Sequence, residues 1–160
     1  LLSHRGLMRL WVVTLMTTVM RRTRLPKQRT LFLLDEAAQL GSLDLLPQAV
    51  SLLRGYGLQL WTFWQDLSQL MKLYPNNWEA IVNNAAVLQA FGVPGHAARV
   101  GWRSVLGDFD AQLATELHAD EMLVAVTGQS TARHTRANYL TDRAFAGRFD
   151  ANHRFLGPEI

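Results

Sequence analysis

LFLLDEAAQLG, residues 31–41, runs four apolar residues into two adjacent carboxylates, Asp35 and Glu36, and then into small and polar residues. A continuous apolar run of strand length, without alternation, fits a strand buried on both faces of a parallel sheet. The two carboxylates then stand at the strand's carboxyl end, where open α/β sheets bind their ligands. On the amino-terminal side, RTRLPKQR (22–29) reads as a basic loop in which Pro26 breaks any helix. Before it, residues 7–22 carry apolar side chains on nearly every helical face and end in arginines, which suit the negative end of a helix dipole.

On the carboxyl side, LDLLPQAVSLLR (43–54) has leucines and a valine at helical spacing, with Pro47 tolerable only near the first turn. Gly55 and Gly57 punctuate, and LQLWTFW (58–64) predicts a second buried strand, again ending in polar residues, Gln65 and Asp66. Helices are expected in SQLMKLY and NWEAIVNNA on either side of Pro75, and a third strand in AVLQAFG (86–92). PGHAARVGWRSVLG and DAQLATELH read as short helices, and EMLVAV (121–126) and residues 137–140 as late strands. Strands alternating with helices indicate an α/β fold with a mostly parallel sheet. Trp61 and Trp64, on the second strand, are expected in the core.

The bulk properties set outer limits. A chain of 160 residues, 49% of them hydrophobic, can bury one sizeable core and suits one domain. The formal charge of +3 leaves nucleic acid, anionic lipid or phosphate open as partners without requiring any. The lack of cysteine excludes disulfides, thiolate zinc sites and cysteine nucleophiles, and the five scattered histidines show no metal-ligand spacing. LMRLWVVTLMTTVM (7–20) is shorter than the roughly 20 residues of a membrane span and contains Arg9, so a buried helix is expected there. Seven Lys or Arg and no acid precede Asp35, and Arg133, Arg136, Arg143, Arg148 and Arg154 dot the tail. The amino-terminal stretch reads equally as a solvated loop or as a contact for DNA phosphates or anionic lipid, and the tail reads as solvated surface with DNA contact as the alternative.

An apolar strand ending in Asp-Glu is the pattern of a Walker B element, in which the first carboxylate holds Mg²⁺ and the second orients and deprotonates the attacking water. Adjacency serves this chemistry because successive residues leaving a strand point in different directions. Each residue alone has a plainer reading. Apolar runs ending in an acid are common, Gln65 alone reads as a surface amide, and Arg54 alone as a helix carboxyl-terminal charge.

Taken together, residues 31–92 resemble the type IV secretion coupling proteins, the TraG-like conjugation ATPases. The features that carry the resemblance are Asp35-Glu36, the leucine-rich helix, Gly55-Tyr56-Gly57, the strand running into QDLSQL (65–70), Tyr74, and Trp78-Glu79. Weaker similarity extends through FGVPGHAARV into the closing strands, and the initial apolar helix matches the one preceding Walker B. The resemblance implies a RecA-like P-loop NTPase fold, with ATP and Mg²⁺ as cofactors. It implies that Asp35 holds magnesium through water, that Glu36 is the general base, and that Gln65 senses the γ-phosphate. Arg54 would act as a finger on the neighbouring subunit's nucleotide. It also implies a homo-oligomer, commonly a hexameric ring, at the cytoplasmic face of the bacterial inner membrane. Such a ring would deliver DNA or relaxase–DNA complexes to a type IV secretion channel.

One departure shapes these expectations. The sequence contains no G-x-x-x-x-G-K-[ST], and neither Lys27 nor Lys72 lies in a glycine-rich setting. The expectation is therefore a carboxyl-terminal portion of a motor domain, lacking the upstream P-loop half and its membrane-spanning segment and inactive alone. Within it, residues 1–30 would be a helix and basic loop, 31–92 the Walker B and sensor core, and 93–160 closing helices and strands. Two alternatives stay open: another RecA-like or HerA-like DNA translocase, and a non-catalytic assembly or recruitment module of the same fold.

Overall fold

The run TLFLL forms β1 (Thr30–Leu34), and LQLWT forms β2 (Leu58–Thr62), paired with it in parallel from Thr30↔Leu58 to Leu34↔Thr62. The computed structural model describes residues 4–92 and 96–150, with the side chains at 53, 54, 96–100, 108, 109 and 111 outside that description. The connection between the two strands contains a 3₁₀ turn (Ala37–Leu40), helix α2 (Leu45–Leu52) and a second 3₁₀ turn (Leu53–Tyr56). Pro47 sits in the first turn of α2, where its missing N–H costs nothing. Gly57 takes φ +70°, and a Cβ there would stand 2.8 Å from Cδ of Pro26. Its carbonyl accepts the Thr30 N–H at 2.9 Å, so this glycine brings the basic loop against the start of both strands.

Helix α1 (Arg5–Met20) precedes β1, and α3 (Leu67–Leu73) and α4 (Trp78–Asn83) follow β2. All four helices feed one core: Val12, Met16 and Val19 from α1, Leu46 and Ala49 from α2, Leu70 from α3, and Ile81 and Val82 from α4. Phe32, Leu34 and Leu60 pack against it from the strands. Met16 and Leu46 are almost fully enclosed, and burying such side chains contributes about 1.5–3 kcal/mol each.

Burial alternates along both strands, so this core covers one face of the sheet. Leu31, Leu33 and Trp61 on the other face are 51%, 53% and 44% exposed. The sequence expectation of burial on both faces, and of Trp61 in the core, therefore fails for that face of this chain. Trp64 does join the core, edge-on to Tyr74. Helix α1 also departs from expectation: only one stripe packs, and Leu7, Met8, Leu10, Trp11 and Leu15 are exposed.

The carboxyl-terminal part is built differently. Strand β3 (Val87–Ala90) pairs antiparallel with β4 (Glu121–Val126), which pairs antiparallel with β5 (Ala132–Thr135). Between β3 and β4 lies α5 (His96–Thr115), broken at Gly107 (φ 81°, ψ 170°) into two segments, as the two short predicted helices require. Leu123, Ala90 and Ala114 form a small second core with Trp102, Leu113 and Leu117. The strand expected at 137–140 is absent. Asn138 instead opens a turn, its N–H donating to Asp142 and its side chain accepting from the Leu140 N–H. Among the described residues no helix is long and apolar enough to cross a membrane.

Candidate functional site

The parallel ladder continues past the last paired residues of β1 and β2. Phe63 N–H donates to the Leu34 carbonyl at 3.0 Å, and Ala37 N–H donates to the Phe63 carbonyl at 3.2 Å. These two bonds tie the segment carrying Asp35 and Glu36 to the segment leading into Gln65. The three residues line one open cleft of about 280 Å³, with Ala38, Gln39, Phe63, Trp64 and Gln69. It lies at the carboxyl end of the parallel strands, where such sheets place ligands. Its lining holds two carboxylates, three amides and no cation, so a polyphosphate brought close to the carboxylates needs a cation between, whereas the amides can donate to it directly.

Two amide contacts organise the polar groups. Gln39 Nε2 donates to Glu36 Oε2 across the 3₁₀ turn, restraining the exposed carboxylate. Gln69 reaches back from the first turn of α3: its Oε1 accepts the Gln65 backbone N–H at 3.2 Å, and its Nε2 donates to Gln65 Oε1 at 2.9 Å. Asp66 is the N-cap of α3, accepting the Gln69 N–H at 3.0 Å. The Ser68 hydroxyl and then the Gln69 N–H hold its carboxyl below the usual carboxylate value, outweighing slight burial.

Behind the cleft the two walls are joined through Tyr74. Its hydroxyl accepts the buried Leu43 N–H at 2.9 Å and donates to the Gly41 carbonyl at 3.4 Å, linking the end of α3 to the loop after the carboxylates. Burial pushes its phenol up from the ordinary value, against the opposing Leu43 hydrogen bond. The same loop is held from α1. Arg9 donates to the Leu40 and Ser42 carbonyls at 2.6 and 2.8 Å, and Arg5 donates to Leu40 at 3.3 Å. Gly41 is required here because φ +68° with ψ −165° is open to glycine alone, while a Cβ would meet only the movable end of the Arg5 side chain.

Asp35, Glu36 and Gln65 thus lie on one cleft. Arg54 lies in the turn ending the α2 region, and its side chain lies outside the described residues. Gln39, Gln69 and Tyr74 were not singled out as site-forming by the sequence reading. The i, i+3 spacing of Glu36–Gln39 and the i, i+4 spacing of Gln65–Gln69 were the available signals. Several of the arginines serve the fold. Arg22 donates to Thr30 Oγ1 at 2.9 Å, Arg133 pairs with Glu121 at 3.6 Å, and Arg136 lies 5.1 Å over the Phe91 ring. Arg154 and FGVPGHAARV past Gly92 fall wholly or partly outside the described residues. Among the described residues no group of three or more His, Asp or Glu could hold a metal unaided. Asp35 and Glu36 fit the metal and water side of a nucleotide site, while the phosphate cradle has no counterpart in this sequence.

Comparison with known proteins adds the following. The family described as "TraM recognition site of TraD and TraG" matches residues 29–142, more than two thirds of the chain. The conjugal transfer protein TraG of Agrobacterium fabrum is 40% identical over 72 residues, which are 45% of this chain and 11% of that protein. The plasmid coupling protein TrwB in complex with ADP and Mg²⁺ matches with a TM-score of 0.72 at 20% identity, over 84% of this chain and 37% of that one. The genome packaging NTPase B204 of Sulfolobus turreted icosahedral virus 2, in complex with AMPPCP, matches with a TM-score of 0.56 at 18% identity. That match covers 68% of this chain and 53% of the NTPase. At these identities the structural likeness carries the fold, which is the α/β fold of the RecA-like P-loop NTPases.

Proposed function

Because this chain belongs to the TraG/TraD family of conjugal-transfer coupling proteins, as their carboxyl-terminal part, we propose that it supplies one wall of an ATP site in a coupling ATPase. The observation that carries this reading is the convergence of Asp35, Glu36 and Gln65 on one cleft at the ends of adjacent parallel strands. Asp35 holds Mg²⁺ through water, and the ion offsets phosphate charge. Glu36 takes a proton from the attacking water, with Gln39 restraining its carboxylate. Gln65 meets the γ-phosphate with its side-chain amide. Arg54 reaches the nucleotide of an adjacent subunit, which makes the active form an oligomeric ring.

The phosphate-binding loop belongs, in this reading, to a further layer of the same motor domain. The bare apolar face of Leu31, Leu33 and Trp61 supports such a layer, since parallel sheets are covered on both sides. Residues 1–30, 31–92 and 93–160 then act as entry helix and loop, Walker B and sensor core, and closing elements of the motor's carboxyl-terminal portion. The assembled protein sits at the cytoplasmic face of the bacterial inner membrane and delivers DNA or relaxase–DNA complexes to a type IV secretion channel. The family's description as a TraM recognition site of TraD and TraG supports TraM as a partner that this part of the chain would contact.

The test is plasmid transfer between cells carrying Glu36→Gln in the complete coupling protein. Transfer should be lost while the variant accumulates and assembles as wild type does. Undiminished transfer would refute a motor role and leave the recruitment reading in its place.

A further inference from the structure

We propose that Gln69 is a positioning residue that fixes which end of the Gln65 amide faces the cleft. This rests on the ATP-site reading given above. The carbonyl and amino ends of a glutamine are nearly alike in shape but opposite in hydrogen bonding, so a glutamine facing a phosphate is useful in one orientation only. Here the orientation is forced by a backbone group. The Gln65 N–H can only donate, so the Gln69 atom 3.2 Å from it must be Oε1. That leaves Gln69 Nε2 as the atom facing the Gln65 side chain at 2.9 Å, and this donor demands an acceptor, Gln65 Oε1. The Gln65 side-chain carbonyl is thereby turned toward Gln69. The Gln65 Nε2 has no protein partner among the described residues and is the end left for the cleft, as a donor toward an anionic phosphate oxygen.

Gln69 is itself well held. Its backbone N–H is bonded to the Asp66 cap, and the next residue, Leu70, is 3% exposed in the core. The chain of restraint therefore runs from the core through the helix cap to the Gln65 amide. Without Gln69 the Gln65 side chain would be free to present either end.

Gln69→Glu separates this role from simple capping. The introduced carboxylate still accepts the Gln65 N–H, so the first turn of α3 persists. Its second oxygen can only accept, which draws Gln65 Nε2 away from the cleft and turns the carbonyl toward the phosphate. In the complete coupling protein, kcat should fall by about tenfold or more, given the roughly 10²–10³-fold worth of a preorganised donor. The dissociation constant for a non-hydrolysable ATP analogue reports the added charge separately and should rise by less than kcat falls, marking a further loss felt in the transition state. In a Gln65→Ala background the same change should add less than about twofold, because both variants remove one interaction. A readout independent of turnover is hydrogen exchange of the Gln65 side-chain amide by NMR, which should slow severalfold in Gln69→Glu as that amide acquires an acceptor.

Wild-type turnover in Gln69→Glu, or an equal loss in the Gln65→Ala background, would overturn the assignment. So would unchanged amide exchange. A wild-type protein without turnover would refute the ATP-site reading, and the exchange measurement would still decide the amide orientation.

Discussion

Tyr74→Phe is the most informative single substitution in the fold, because it removes one oxygen and leaves the packing in place. The ring of Tyr74 is 4% exposed and stands edge-on to Trp64 at 6.2 Å between centroids, and phenylalanine keeps both features. What disappears is the acceptor for the Leu43 N–H at 2.9 Å, in a residue 3% exposed and out of reach of water. Leaving a buried donor unpaired costs about 1–3 kcal/mol, and the hydroxyl's longer bond to Gly41 adds little. A loss of about 2 kcal/mol is expected, which for a chain of this size lowers Tm by roughly 4–8 °C. Urea denaturation followed by tryptophan fluorescence should show a lower midpoint at unchanged slope. A change below about 0.5 kcal/mol, typical of neutral surface substitutions, would refute the role given to this hydroxyl.

The pH dependence supplies a second check on the same residue. Because burial raises the Tyr74 pKa, its contribution is fully present below the ordinary phenol value of 10.0 and is lost as pH rises through the higher folded value. The stability gap between wild type and Tyr74→Phe should therefore narrow on the alkaline side.

Asp66→Ala removes the N-cap of α3 and should cost about 1 kcal/mol, whereas Asp66→Asn should restore most of it. The Asp66 carboxyl is held low, so its contribution is present above the ordinary value of 3.8 and is lost as pH falls through the folded value. Acid titration of the urea midpoint checks both points. Gly57→Ala should destabilise by at least about 1 kcal/mol, since φ of +70° disfavours a side chain and its Cβ would press on Pro26; a thermal melt matching wild type would contradict this. In the assembled ring, mixing Arg54→Ala with Glu36→Gln subunits should recover turnover that neither variant shows alone, as an arginine acting across an interface requires. No recovery would remove that role from Arg54.

Much of the architecture was legible because it is written in periodicity and punctuation. The unbroken apolar run ending at Asp35 and the aromatic, β-favouring run ending at Gln65 marked both parallel strands, Pro47 and Pro75 placed helix starts and breaks, and Gly107 divided the last helix where two were expected. Three features were not legible. Strand β5, ARHT, is exposed throughout and has no apolar alternation, so its pairing with β4 comes from backbone hydrogen bonds that leave no hydropathy signature. The one-sided burial of β1 and α1 depends on which layers are present, and an apolar run reads alike whether or not its second face is covered. The site was legible at the strand ends, where position alone gives a carboxylate or amide meaning. Gln39 and Gln69 looked like ordinary helix polar residues, since their role lies in bonds to atoms whose placement the fold decides.

The measurement closest to the central claim is phosphate release by Glu36→Gln in the complete coupling protein, under single-turnover conditions with ATP and Mg²⁺. If Asp35, Glu36 and Gln65 form the water and metal wall of the site, this variant should bind ATP with near wild-type affinity. Its phosphate release should fall by about 10²-fold or more, as expected when a general base is removed. Release at the wild-type rate would show that the proton of the attacking water goes elsewhere, and that these strand-end carboxylates are not the catalytic wall.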